Sequence, residues 1–329
     1  MSGVATPVAE VVQELRDAEK LLLTTHENPD GDALGSLLGM HELLKELGKD
    51  SAMFMAAYEF PLPHEYRHMH VEEVLNAPPA DVGERVVVFL DCGNIDRMPV
   101  DFLRTDGSHI VNIDHHHDNT RFGSVNLVLP EASCTAEIVW GLARELGVDI
   151  TPRMAEALYV GLVTDTGKFQ YENTTARAHR MAADLIEAGA DPHAVYRKLY
   201  EELPYARLEL LARALGKVER FDGGRLTLTH LTKLDYADTG AAESDTEGVV
   251  DHMRAVAGTK VAAVVRELLA EDRAGLRKVS LRATDGSVDV SRIARAHGGG
   301  GHRQAAGFST DLPLDELVSS LRAGIAEQL

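Results

Sequence analysis

The sequence predicts an α/β chain of two domains, an N-terminal parallel-sheet domain followed by a smaller C-terminal α/β domain. Three observations carry this expectation. In the first half, short apolar runs alternate with stretches whose apolar residues recur at three- and four-residue spacing, the pattern of parallel strands joined by helices. Beyond a helical stretch at 191–222 the texture turns β-rich. The 329 residues suffice for two cores of ordinary size, and 44% hydrophobic with 26% charged residues are the proportions of a globular protein.

In chain order, "KLLLTTHE" (20–27) reads as a strand and "GDALGSLLGMHELLKELG" (31–48) as an amphipathic helix. "SAMFMAA" (51–57), "RVVVFLD" (85–91) and "HIVNID" (109–114) read as further strands, and 134–147, 151–163 and 175–189 as helices. "DP" at 191 and "LP" at 203 start helical segments. Strands are expected at 225–231, 260–268 and 278–284, and helices at 243–256, 289–296 and 313–328. The domains are accordingly placed at 1–190 and 223–329, with 191–222 as a helical linker in which "FDGG" marks a turn.

The net charge of −19 argues against broad binding to long nucleic acid, which needs a basic face. The apolar runs are too short to span a bilayer, and the first twenty residues lack an export signal. Cys92 and Cys134 offer no disulfide framework and suit a reducing compartment, so a cytoplasmic location is expected.

The chemistry-bearing residues fall into four clusters at the expected strand ends, the edge where open α/β sheets bind ligands. "HENPDGDALGS" carries His26, Asp30 and Asp32, with Pro29 and Gly31 allowing a tight turn. An N-cap role for either aspartate reads equally well. "VVVFLDCGN" ends in Asp91, and Cys92 beside it is read as core. "NIDHHHDN" places Asp114, His115, His116 and His117 together, as a polar loop or a metal site. "GLVTDTGKFQYENT" carries Asp165, which could also be a helix-terminating turn residue. Together they supply His26, Asp30, Asp32, Asp91, His115 and Asp165, enough ligands for two divalent ions that share a carboxylate. Four ligand carboxylates and two divalent ions would neutralise each other, so phosphate must be attracted by other groups.

These four motifs resemble those of the DHH phosphoesterase superfamily, and "GGGGHRQAAGF" (298–308) resembles the glycine-rich motif of the associated DHHA1 domain. The wording is closest to the NrnA-type group of oligoribonucleases that also dephosphorylate pAp. The resemblance implies one ion, most readily Mn²⁺ with Mg²⁺ or Co²⁺ as alternatives, on His26, Asp30 and Asp91. A second would sit on Asp32, Asp91, His115 and Asp165. His116 would lie at the scissile phosphate, Asp114 would orient its neighbours, and His117 has no assigned role. The implied reaction is two-metal hydroxide attack on oligoribonucleotides of two to five nucleotides from the 5′ end, on pAp, or on both.

"GGGGH" lacks the Lys-Ser/Thr of a P-loop, but its glycines let backbone N–H groups approach a ligand. By resemblance, Arg282, Gly299, Gly300, Gly301 and His302 would hold the substrate's terminal phosphate or sugar, with Arg303 beside them, in a cleft between the domains. The expected partners are short RNA or small nucleotides (nano-RNA, pAp, pApA), with no membrane or long duplex and with a homodimer allowed. A RecJ-type exonuclease would be much longer, and a family II pyrophosphatase lacks the glycine-rich motif. A soluble c-di-AMP or pApA phosphodiesterase stays open, as does a nucleotide-binding regulator that has lost catalysis. Phe169, Tyr171, Tyr236 and Phe308 could stack on a base.

Overall fold

The computed structural model describes residues 7–98, 100–104 and 109–329. The chain forms two compact units, Met1–Glu202 and Leu203–Leu329, between which residues 191–222 are divided.

The first unit is built on six strands: β1 (Lys20–Thr24), β2 (Asp50–Phe54), β3 (Val74–Leu75), β4 (Val86–Leu90), β5 (Ile110–Asp114) and β6 (Val125–Val128). They lie in the order β3-β2-β1-β4-β5-β6, and every pairing is parallel. The strands read as unbroken apolar runs because both faces are covered. Leu21 and Leu23 enter one core with Val88, Leu90, Val111 and Ile113, while Leu22, Val87 and Phe89 enter the other. The first core is capped by helices α1 (Pro7–Asp17), α2 (Gly31–Glu46), α3 (Thr135–Leu146), α4 (Pro152–Asp165), α5 (Ala176–Glu187) and α6 (Pro192–Tyr200). The opposite face is covered by loop residues such as Met98, Phe102, Leu103 and Phe122. The chain runs outward from β1 to β3, then returns through β4 on the other side of β1, so β1 and β4 flank the point where strand order reverses. Loops leaving the carboxyl ends of two such strands diverge and open a crevice for ligands.

Helix α2 is the centre of this unit and is buried on every side from Gly31 to Leu44. It packs against α4 through Gly31, Gly35 and Gly39, which face Thr164, Ala157 with Gly161, and Leu158 respectively. The four-residue spacing puts these glycines on one helical face.

The second unit holds a mixed sheet. Its elements are α7 (Tyr205–Gly216), β7 (Glu219–Phe221), β8 (Leu226–Leu231), α8 (Lys233–Thr239), α9 (Val249–Arg254), β9 (Val261–Glu267), β10 (Arg277–Ala283), α10 (Val290–Ala296), β11 (Gly300–Gly301), β12 (Ala305–Thr310) and α11 (Leu314–Ala326). The order is β11-β12-β10-β9-β8-β7, with only β8 and β9 parallel. Residues of α10 and α11 pack on one face, and residues of α7, α8 and α9 on the other. The expected single helix at 243–256 is divided: a 3₁₀ turn at Glu243–Thr246 precedes α9, and Gly248 between them takes a left-handed φ of 83°. "FDGG" turns the β7–β8 hairpin.

Candidate metal centre

Three of the four sequence clusters lie at strand ends as expected. His26 follows β1, Asp91 follows β4, and Asp114 is the last residue of β5 with His115 and His116 after it. The fourth is a correction. Asp165 is the last residue of helix α4, not of a strand, because the apolar spacing of "MAEALYVGLVTD" carries the helix on until left-handed Gly167, Lys168 and Phe169 stop it. Asp32 likewise sits in the first turn of α2.

The N-cap reading of Asp30 also holds. Its Oδ1 accepts from the Asp32 and Ala33 backbone N–H groups, both at 3.1 Å, and frees Oδ2 for other work. Asp30 is exposed, whereas His26, Asp32, Asp91, Asp114, His115 and His116 are all buried. His117 is exposed, Cys92 is core, and Tyr236 and Phe308 are buried in the second unit's cores. Phe169 stacks on His179 at 5.1 Å.

Ligand atoms of His26, Asp30 and Asp91 lie within 4.8 Å of one another, and so do those of Asp32, Asp91 and His115. Asp91 belongs to both sets. Its Oδ2 is 3.5 Å from His26 Nε2, and its Oδ1 is 3.6 Å from His115 Nε2. The same His115 nitrogen lies 3.8 Å from Asp32 Oδ2 and 3.7 Å from Asp165 Oδ2. These gaps exceed ordinary hydrogen bonds. The imidazoles are turned the right way for ligation: Nδ1 of His26 is 2.7 Å from the Glu27 carbonyl and Nδ1 of His115 is 3.3 Å from that of Ala132. An Nδ1–H donated to a carbonyl leaves the Nε2 lone pair facing the carboxylates, the tautomer a metal ligand needs. Buried oxygen and nitrogen donors of this kind fit divalent Mn²⁺ or Mg²⁺.

Apart from Asp114, sequence reasoning did not anticipate the residues that hold these side chains. Thr135 donates its backbone N–H to Asp32 Oδ2 at 2.7 Å and its Oγ1–H to Asp91 Oδ1 at 3.0 Å, and Ala136 N–H reaches Asp32 Oδ1 at 2.9 Å. Asn173 Nδ2 donates to Asp165 Oδ2 at 3.1 Å and to the Ser133 carbonyl at 2.7 Å. His116 Nδ1 is 2.7 Å from Asp114 Oδ1, whose other oxygen accepts from Asn119 Nδ2 at 2.5 Å. Arg97 Nη1 stands 3.5 Å from His116 Nε2. Asn119 lies within the histidine motif and Asn173 within the Asp165 motif, and these were the readable signals. Thr135 and Ala136 come from a distant segment.

Burial pushes the Asp32 carboxyl well above the usual carboxylate range, and the charges of Asp91 and Asp165 add to the push. Burial also lifts Asp165 to about 7, against the pull of His115. For His115 burial opposes the charged form, but Asp165, Asp91 and Asp32 outweigh it and hold the imidazole at about 9. Burial disfavours ionised Asp91 too, yet His26, His116 and His115 outweigh it and keep that carboxyl well below the usual range.

Asp32, Asp165 and His115 thus have folded values above their unfolded ones, so each contributes stability at low pH that is lost as pH rises through the folded value. Asp91 and Asp114, held low, change the balance only at or below the ordinary carboxylate range. His41 and His68, lowered by burial, act oppositely but are neutral in both states above about pH 7. Protein stripped of divalent ions is therefore expected to lose melting temperature from about pH 7 to about pH 9. Thermal melts in EDTA across that window check this, and a rising melting temperature would contradict the charge arrangement.

In the second unit, Arg282 lies on β10 opposite Ala305 and is half-buried. The glycine run joins α10 to β12. A Cβ on Gly299 would collide with the Gly307 carbonyl at 2.2 Å, and Gly301 takes a φ of 132°. A Cβ on Gly300 would meet nothing within 4 Å. His302 and Ala305 close the turn through reciprocal backbone hydrogen bonds of 2.7 and 3.2 Å. Arg303 is exposed and donates Nη2 to the Gly286 carbonyl at 2.7 Å. Among the described residues, no helix is long and apolar enough to cross a membrane.

Residues 20–162 match the profile of the DHH family N-terminal domain, and residues 230–327 that of the DHHA1 domain. The bifunctional oligoribonuclease and PAP phosphatase NrnA of Thermus thermophilus is 34% identical over 98% of this chain and 93% of its own length. An exopolyphosphatase-related protein from Bacteroides fragilis shares the fold with a TM-score of 0.85 at 24% identity, covering 99% of this chain and 98% of that one. RecJ of Thermus thermophilus, solved in complex with Mn²⁺, aligns with a TM-score of 0.54 at 15% identity, over 97% of this chain and 53% of RecJ. With both domains in order and a relative of this identity along nearly its whole length, the chain belongs to the DHH family of phosphoesterases and carries a DHHA1 domain.

Proposed function

We propose that this phosphoesterase hydrolyses oligoribonucleotides of two to five nucleotides from the 5′ end, and removes the 3′-phosphate of pAp. The observation that carries the reading is the pair of donor sets sharing Asp91, joined to the likeness with NrnA of Thermus thermophilus. His26, Asp30 and Asp91 would hold one divalent ion, and Asp32, Asp91, His115 and Asp165 the other. When bound, two such ions, most readily Mn²⁺, supply Lewis-acid charge and activate water for attack on phosphorus.

The chain's own residues do the rest. His116 carries its proton toward the leaving oxygen at Nε2, while Asp114, bonded to Nδ1, stabilises the imidazolium. Burial opposes that charge, but Asp114 and Asp91 outweigh it and raise the imidazole above its ordinary value. Arg97 beside Nε2 supplies a fixed positive charge for non-bridging oxygens. In the second unit, Arg282, His302 and the N–H groups of Gly299, Gly300 and Gly301 would hold the substrate's terminal phosphate or sugar, with Arg303 beside them. An anchored terminal phosphate favours short substrates.

The test is product analysis with Mn²⁺ on pAp, 5′-pApA, a 5-mer RNA, a 24-mer RNA and c-di-AMP. Short linear substrates and pAp should be cleaved and the 24-mer spared. Arg282→Ala should raise KM for the short substrates by about tenfold to a hundredfold, the value of one lost charged hydrogen bond. Faster cleavage of the 24-mer than of the 5-mer would overturn the short-substrate reading. Cleavage of c-di-AMP alone would replace it with a cyclic-dinucleotide phosphodiesterase.

A further inference from the structure

The N-terminus of α3 touches the metal centre without contributing a ligand. Its N-cap, Cys134, makes no side-chain capping bond. The first N–H groups of the helix turn instead to a carboxylate 103 residues away in sequence, where Thr135 N–H and Ala136 N–H grip the two oxygens of Asp32. Unpaired helix N–H groups and the positive dipole end favour an anion there. The Thr135 side chain, fully buried, then reaches Asp91 Oδ1. That oxygen faces His115 and His116, whereas Oδ2 of the same carboxylate faces His26. One residue therefore fixes two carboxylates, and both contacts fall on the Asp32/His115 half of the centre.

We infer that Thr135 is a positioning residue that sets the affinity of one metal position, that of Asp32, Asp91, His115 and Asp165, and leaves the His26/Asp30/Asp91 position unchanged. The inference rests on the two-ion reading of the site. The Thr135 hydroxyl donates to Asp91 Oδ1 and holds that oxygen toward His115, and without it Oδ1 loses this donor while Oδ2 keeps its place beside His26. The hydrogen bonds to Asp32 come from backbone and survive any side-chain change, so the variant isolates the hydroxyl. Hydrogen-bond partners of metal ligands typically govern affinity by about tenfold to a hundredfold.

Mn²⁺ is titrated calorimetrically into metal-free wild type and into Thr135→Val, Thr135→Ala and Thr135→Ser. Electron paramagnetic resonance of the coupled Mn²⁺ pair is the second readout. Wild type should bind two ions. Thr135→Val should keep one at wild-type affinity and bind the other about tenfold to a hundredfold more weakly, with loss of the coupled signal at limiting metal. Thr135→Ser should restore both. Circular dichroism in EDTA checks the fold, and Thr135→Ala, which adds no apolar methyl, carries the test if the valine variant misfolds. In a His26→Ala background the single remaining ion should be the one that Thr135→Val weakens. Fewer than two ions on wild type would sink the two-ion reading itself. Two ions on wild type with unchanged binding in both Val and Ala variants, or equal weakening of both ions, would overturn the role given to Thr135.

Discussion

Asp91→Asn is expected to lower phosphoesterase activity by about a thousandfold or more, since a ligand shared by both ions supports several kcal/mol of transition-state charge and about 1.4 kcal/mol is a factor of ten. Asparagine is the informative substitution because Asp91 has a left-handed φ of 57°, which Asn tolerates and alanine resists. The shape, the backbone and the Thr135 hydrogen bond to Oδ1 can all persist while the charge disappears. Three imidazoles, those of His26, His115 and His116, lie about this one carboxylate. Its loss should therefore also lower the pKa of His115, which Asp165 and Asp91 hold at about 9. Metal titration should show both ions weakened, in contrast to Asp30→Asn, which should weaken only one. The metal-free variant should melt below wild type near pH 7, because His26, His116 and His115 hold the Asp91 carboxyl well below the usual range and make its charge net stabilising in the folded state. Retained activity within tenfold of wild type, with two ions still bound, would remove Asp91 from the shared position.

The sequence made the ligands legible where each motif is contiguous and ends an apolar run. "VVVFLD" and "NIDHH" carry their own structural context, because a buried parallel strand must end and its last polar residue faces the ligand edge. Asp165 is also legible as a candidate, but grouping it with the strand ends is wrong: the helix expected at 151–163 runs two residues further and ends on it. Part of what holds the ligands could not be read. Thr135 meets Asp91 across 44 residues and Asp32 across 103, and no local pattern encodes such a pairing. Helix α8 was missed in a polar seven-residue segment, although Thr232 and Asp235 form a capping box that announces it. The division of 243–256 was signalled by Gly248, which favours a helix end over a helix interior.

Gly35→Val is expected to destabilise the first unit by about 3 kcal/mol or more, at the upper end of overpacking costs. The obstruction is backbone and cannot turn aside. A Cβ at Gly35 would stand 2.4 Å from the Ala157 carbonyl oxygen and 2.9 Å from the Gly161 nitrogen, both on α4. Helices α2 and α4 would have to separate, and the glycine contacts at Gly31 and Gly39 would open with them. For a domain of this size the melting temperature should fall on the order of 6–12 °C. Gly216→Ala is the control, since its Cβ would meet nothing within 4 Å and alanine is the better helix former. It should be neutral or slightly stabilising. The same packing positions the chemistry: Asp32 stands in the first turn of α2 and Asp165 ends α4, and His115 Nε2 lies 3.8 and 3.7 Å from their carboxylates. Even below its melting point, the variant should therefore bind its Asp32/Asp165 ion more weakly than wild type. A Gly35→Val protein that melts within a degree of wild type and binds two ions normally would show that the close approach of α2 and α4 does not set the spacing of these two carboxylates.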